Sequence, residues 1–289
     1  MKGQYEFVRI RRGEFFCGNP KCRTMFSHEV DLELCNHFDI ILPQNIDTLK
    51  MIPRGEKVVA RIGGMHVNNP DRDRYSEQIA RVGAVVATNE DLLEIGQRAN
   101  DNCHLIPNGV DLTHFKPRPD ADTPREGLML GFAGNIEGAG ADYKGWTPFV
   151  TAGTRLMIHG VTTRYLLHGR NQIENKDMPE KFYHLIDALV LPSRGEGCSN
   201  VVTEALACGV PVLLTKVGFH GESLTDGENC LFIERDDDSI VNAVQRLLND
   251  SDLRRRLSEN GRRFAEQFHD VNAIAAKYDA VFKSILAKT

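Results

Sequence analysis

The chain has 289 residues, 41% of them hydrophobic and 26% charged, enough for one large or two medium soluble domains. Thirty-five basic against 40 acidic side chains leave a net charge of −5, which gives no overall attraction to nucleic acid or to an anionic membrane. No apolar run approaches the ~20 residues that span a bilayer, and the opening MKGQYEFVRI has no signal-peptide core, so a cytoplasmic location is expected, with peripheral contact at a membrane face left open.

The first segment is locally basic. Residues 1–25 carry Lys2, Arg9, Arg11, Arg12, Lys21 and Arg23 against Glu6 and Glu14. A solvated basic edge is the favoured reading, and a polyanion footprint the alternative. Next come Cys17, Cys22, His28, Cys35 and His37. Sulfur and imidazole groups at such separations could hold zinc, but the spacings match no standard finger, so ordinary cysteines and histidines are favoured over a site at Cys17, Cys22, Cys35 and His37. Seven cysteines, an odd number without regular spacing, fit reduced thiols. Cys208 and Cys230 stand among apolar residues and read as small core side chains.

Short apolar runs then alternate with helical patterns. Residues 38–44 and 57–64 read as buried strands and 74–83 as a helix with Ile79 and Val82 on one face. AVVATNEDLLEIGQRA gives a strand, a cap at Thr88 or Asn89, and a helix. CHLIPNGVDLTHFKP is a short strand followed by a turn at Asn108–Gly109. After the polar, proline-containing residues 116–126 the pattern restarts, with strands at 127–135, TRYLLHGR and 187–193 and helices at GWTPFVTAGTRLMIHG and KFYHLI. A helix begins at Ser199 or Asn200, Gly209 ends it, and PVLL returns as a strand. NCLFIE, DDSIVNAVQRLLND and helices near 251–267 and 271–287 close the chain. Alternating strands and helices imply parallel βαβ units, and the restart implies two domains.

The stretch RGEGCSNVVTEALACGVPVL carries the chemistry. In open parallel sheets ligands sit beyond the carboxyl ends of the strands, which puts loop 194–199, and Glu196 with it, at a site. The helix start offers the N–H groups of Ser199, Asn200 and Val201 to an anion such as a phosphate. Glu204, one turn further in, suits paired hydroxyls such as those of a ribose. Taken singly, a surface loop acid and a carboxylate favoured by the helix dipole are competitive readings. DDD at 236–238 reads as a helix N-terminus rather than a metal-binding motif.

The segment resembles the nucleotide-sugar site of retaining GT-B glycosyltransferases, in particular glycosyltransferase family 4 with its Glu-x7-Glu signature. VVATNEDLLEI, LIPNGVDLTHFKP, LGFAGNI…YKGW, GFHGESLTDGENCLFIERDD and LRRRLSENGRRFAEQF agree with that family in order, over roughly residues 80–270. The resemblance implies an α/β fold of two Rossmann-like parallel-sheet domains: a reduced acceptor-side domain over 1–115, a donor domain over 116–270, and a last helix, 271–289, returning to the first. Glu196 would then contact the donor sugar and Glu204 the ribose, while Lys144 holds the diphosphate. Gly134, Asn135, Arg170, Gly197, Cys198, Ser199, Asn200 and Val201 would complete the donor site. The implied reaction is sugar transfer with retention from a nucleotide-sugar, UDP-linked by expectation, to a carbohydrate or lipid-linked acceptor, with no cofactor or metal.

Three departures qualify the resemblance. Asn135 stands where the family has an arginine, and Arg170 or Arg194 would have to supply the missing charge. Gly63 stands where the family often has a histidine, with Gly64 and His66 close by on the acceptor side. The first domain is short and lacks the glycine-rich first turn. Two alternatives follow: a polyanionic acceptor such as modified nucleic acid, met by Arg9, Arg11, Arg12 and Arg23, or a non-catalytic nucleotide-sugar-binding module.

Overall fold

The structure is a computed structural model that describes residues 10–11, 14–15, 55–63, 72–119, 127–168, 171 and 173–287. The strand expected at 38–44, the cysteine and histidine cluster at 17–37, and Gly64, His66 and Arg170 lie outside the described residues. So does most of the basic segment. Inside it, β1 (Ile10–Arg11) pairs antiparallel with β2 (Glu14–Phe15).

The contacts divide the chain into two units. The first, Met1–Ala87 with Leu92–Ile106 and Ala275–Thr289, holds a parallel sheet of β3 (Gly55–Ile62), β4 (Val82–Ala87) and β5 (Cys103–Leu105), in that order. Helices α1 (Arg72–Ile79) and α2 (Glu90–Gln97) connect the strands. Val58, Ala60, Ile62, Val85 and Ala87 make its core with Ile79 and Leu92. Gly63 ends β3 beside the Arg61 guanidinium.

The second unit, Thr88–Asp91 with Pro107–Ile274, is built on β6 (Leu128–Gly134), β7 (Val161–Leu167), β8 (Ala188–Leu191), β9 (Val212–Leu214) and β10 (Leu231–Phe232). All five are parallel, in the order β10-β9-β8-β6-β7. Successive side chains of a strand point to opposite faces, and both faces here are apolar. Leu128, Leu130, Phe132, Ala188, Val190 and Leu213 face one core, and Ala133, Leu189, Leu191, Val212 and Leu214 face the other. This is the pattern of a parallel sheet covered on both sides.

Helices α3 (Gly140–Lys144), α4 (Trp146–Leu156) and α5 (Met178–Lys181) follow the first two of these strands. They are joined further on by α6 (Asn200–Ala207), α7 (Gly218–Ser223), α8 (Asp237–Asn249), α9 (Ser251–Phe268) and α10 (Val271–Leu286). Phe149, Ala152 and Leu156 of α4 and Ile240, Val244 and Leu247 of α8 cover the first core. Val202, Ala205 and Leu206 of α6 and Phe264 and Ala265 of α9 cover the second. Asp236 caps α8 by accepting the Ser239 N–H at 2.7 Å, and Asp237 and Asp238 pair with Arg155. The aspartate run is therefore held as a helix start, as its sequence indicates. Among the described residues no helix is long and apolar enough to cross a membrane.

Candidate functional site

The order of the second sheet defines a site before any side chain is considered. From β6 the chain moves to β7 on one side, then crosses back to β8 on the other. The connections leaving the carboxyl ends of β6 and β8 therefore diverge, and an open α/β sheet binds its ligands in the crevice at such a switch point. Lys144 lies in the connection after β6 and Glu196 in the one after β8. Their side chains meet, with Lys144 Nζ 2.5 Å from Glu196 Oε1, and both are largely withdrawn from solvent.

Local backbone holds the pair in place. Gly145 closes α3 at φ +71, and a Cβ there would strike the Pro192 carbonyl, so the turn carrying Lys144 lies directly on the exit of β8. The Arg194 N–H donates to the Tyr143 carbonyl at 2.8 Å and ties the two loops together. Burial raises the Tyr143 phenol above its ordinary pKa, helped by the Glu196 charge and opposed by Arg194 and Arg235.

Beyond Glu196 the chain turns into α6 through Gly197, Cys198 and Ser199. Ser199 occupies the N-cap position with extended backbone, and its hydroxyl makes no capping bond. The N–H groups of the first turn, from Ser199, Asn200 and Val201, are the kind that suits an anion. Asn108 braces this turn, its amide donating to the Cys198 carbonyl and to Asn200 Oδ1, each at 2.6 Å. From below, Gly218 presses on the carbonyls of Glu196 and Gly197 with φ +61, and the Phe219 N–H donates to Gly197 O at 2.8 Å. Gly218→Ala would meet both the strained φ and that contact. It is expected to cost about 1–3 kcal/mol of stability by urea denaturation, and to loosen the Glu196 turn.

Glu204 faces a cavity of about 400 Å³ lined by Asp111, His114, Asn175, Lys176, Asn200 and Thr203 among others. The fully buried Tyr183 donates its hydroxyl to Glu204 Oε2 at 2.7 Å, and the Asn175 amide donates to Oε1 at 3.3 Å. Burial raises the Glu204 carboxyl above the usual glutamate range, against the opposing effect of both hydrogen bonds and of His114. Burial also pushes the Tyr183 phenol well up, with the Glu204 charge adding to it, so this hydroxyl stays a donor. A carboxylate already aligned by two donors and facing an open cavity can accept two further hydroxyl groups.

The structure brings together Lys144 and Glu196 at the strand ends, and Ser199, Asn200 and Glu204 on α6. Gly134 ends β6, where a Cβ would touch the Lys144 side chain. Asn135 has its side chain turned to its own loop, accepting the Glu137 N–H at 2.9 Å. Arg194 pairs with Asp142 at 3.0 Å, and Asp142 also lies 3.6 Å from Arg235. Asn108, Asn175, Tyr183 and Gly218 were not expected from the sequence. Their parts depend on contacts between distant segments, and only the glycine in GFHGE hinted at close approach.

Comparison with known proteins places this geometry in context. Residues 168–264 match the family model described as glycosyl transferases group 1. An uncharacterized glycosyltransferase of Methanocaldococcus jannaschii is 38% identical over 93 residues, 32% of this chain and 26% of that protein. The MMP α-(1→4)-mannosyltransferase of Mycolicibacterium hassiacum is 25% identical over 240 residues, 74% of this chain and 56% of its own length. The chain thus spans from about a quarter to just over half of these curated relatives. Among solved structures, Anabaena HepE in complex with UDP superposes with a TM-score of 0.70 at 16% identity, covering 88% of this chain and 80% of that one. The second unit carries a glycosyl transferases group 1 segment, and the two parallel-sheet units have the fold of GT-B glycosyltransferase structures.

Proposed function

We propose that this chain is a retaining glycosyltransferase that moves a sugar from a UDP-linked donor to a carbohydrate or lipid-linked acceptor, with no metal in the transfer step. The observation that carries the reading is the meeting of Lys144 and Glu196 at the switch point of the second sheet, 2.5 Å apart. The solved structure of similar fold that holds UDP supports the choice of nucleotide.

In this reading the ribose hydroxyls donate to Glu204, the distal phosphate sits on the N–H groups of Ser199–Val201, and Lys144 faces the diphosphate. Glu196 holds Lys144 in place before the donor arrives and turns to the sugar hydroxyls once the phosphates claim the ammonium. The bond between the anomeric carbon and the phosphate oxygen breaks, and positive charge develops on the sugar. The acceptor hydroxyl attacks from the same face and passes its proton to the departing phosphate oxygen as the new glycosidic bond forms. The diphosphate leaves with the bonding pair, and Lys144 with the helix N–H groups stabilises it. Among the described residues Asn135 accepts from its own loop and Arg194 pairs with Asp142, and Lys144 is the cation this reading assigns to the step.

The carbohydrate acceptor is preferred to the polyanionic one because relatives whose names indicate a product point to carbohydrate, as in capsular polysaccharide and lipopolysaccharide core biosynthesis. The test is incubation with a panel of UDP-sugars and simple glycoside acceptors, followed by NMR of the product. A product with the donor's anomeric configuration supports the reading, and an inverted product excludes retention. UDP binding without transfer or hydrolysis on any of the panel would favour a binding module.

A further inference from the structure

We infer that Cys198, His220 and His269 form a binding site for a soft divalent ion of the zinc class, beneath the turn that carries Glu196. Cys198 was expected on the donor side by resemblance, but its side chain is buried and grouped with the two histidines, so the inference does not depend on the donor contacts proposed above. The three residues come from the loop before α6, the middle of α7 and the link between α9 and α10. One ligand atom from each lies within 4.8 Å of the other two, and all three residues are buried. A thiolate with two imidazoles is a donor set that zinc uses, with a fourth position left for water.

Each of the two rings is held through one nitrogen. His269 Nδ1 lies 2.7 Å from the Asn108 carbonyl. A ring nitrogen against a carbonyl must carry the hydrogen, so the neutral ring keeps its lone pair at Nε2. His220 Nε2 lies 3.3 Å from the Thr203 hydroxyl, whose own proton goes to the Ser199 carbonyl at 3.0 Å. The imidazole is therefore the donor in that pair, and its lone pair sits on Nδ1. Fixing one nitrogen on a protein oxygen is how imidazole ligands are held for a metal. The sulfur has a similar partner, accepting the Asn108 N–H at 3.4 Å.

The surroundings sharpen the case. Phe219 meets the His269 ring edge-on and Phe264 meets it at a tilt, with centroids 5.3 and 5.6 Å away, and the two histidine rings are 5.2 Å apart. Three ligating groups gathered in an apolar pocket carry a desolvation cost that hydrophobic side chains of similar size would avoid. A bound ion offsets that cost. Ligand atoms no more than 4.8 Å apart put a central ion at most ~2.8 Å from each, against about 2.0–2.3 Å in zinc sites, so each ligand has to close by at most ~0.8 Å. Because all three ligands are buried, the ion's part is to brace the turn between Gly197 and Asn200 against α7 and the start of α10.

Cobalt(II) is the probe, since a thiolate–cobalt bond gives a charge-transfer band and zinc is silent. The full chain, reduced and stripped with chelator, is titrated in a Cys17→Ser, Cys22→Ser, Cys35→Ser background so that the N-terminal thiols do not contribute. The expected result is a band saturating at one equivalent, displaced by one equivalent of zinc, with a raised thermal midpoint. Cys198→Ser abolishes the band, and Thr203→Val, which removes the oxygen holding the His220 ring, weakens cobalt about 10–100-fold. No band with native circular dichroism, or a band that survives Cys198→Ser, would overturn the inference. Should Cys198→Ser fail to fold, unchanged cobalt affinity in Thr203→Val would overturn it as well.

Discussion

Lys144→Ala is expected to lower kcat/KM for sugar transfer by about 10²–10³, the usual cost of removing one preorganised charge from the transition state. The size follows from its position. Lys144 stands at the carboxyl end of β6 and reaches Glu196 at the end of β8, while Asn135 is held within its own loop and Arg194 pairs with Asp142. Loss of the ammonium also leaves the Glu196 carboxylate, mostly withdrawn from solvent, without its partner, which adds a cost in the ground state. Lys144→Arg keeps the charge but not the compact ammonium and is expected to recover only part of the rate. Steady-state kinetics on the three proteins check this. Equal rates in wild type and Lys144→Ala would remove Lys144 from the mechanism.

Glu204→Gln is expected to weaken UDP binding about 10–150-fold, since hydrogen bonds to a charged group contribute about 1.5–3 kcal/mol. The pH dependence is the sharper readout. Burial holds the Glu204 carboxyl above its ordinary range, and only the ionised form accepts from both ribose hydroxyls. UDP affinity should therefore fall as pH is lowered, beginning above the ordinary glutamate pKa, and the Gln variant should lack that acid limb. The linked effect on folding has the opposite slope. A carboxyl whose pKa is raised in the folded chain contributes stability below its unfolded pKa, and that contribution is lost as pH rises through the folded one. Calorimetric titrations across the acid range, with urea melts at the same pH values, separate the two effects.

Much of the second unit was legible in the sequence because its strands are apolar on both faces and bounded by Gly and Pro. The reading of 127–135 against the observed Leu128–Gly134 differs only at the ends, where strand pairing decides. The run read as 187–193 is shorter, because Pro192 cannot continue the ladder after Leu191. The helix start read at Ser199 or Asn200 agrees with α6 at Asn200–Ala207 and its N-cap at Ser199, although the Ser199 hydroxyl makes no capping bond. By contrast α7 was not expected, since KVGFHGES has two glycines and no apolar period, and its helix is set by Gly218 packing under Gly197.

The site was legible through the spacing of Glu196 and Glu204 and through resemblance. That Lys144 touches Glu196 depends on which strands are neighbours, and spacing alone does not encode that. Tyr183 gave no signal, because an aromatic residue in KFYHLI reads as core, and it is core apart from one hydroxyl. Cys198, His220 and His269 lie too far apart in the chain to form any recognisable ligand spacing, and only the fold gathers them.

The most direct measurement is calorimetric titration of UDP into the native chain, Glu204→Gln and Lys144→Ala, with GDP and ADP as controls. One UDP bound per chain, weakened at least tenfold in both variants, is the predicted result. No binding of any nucleotide, or binding of UDP that both variants leave unchanged, would contradict a nucleotide-sugar site at the carboxyl ends of β6 and β8.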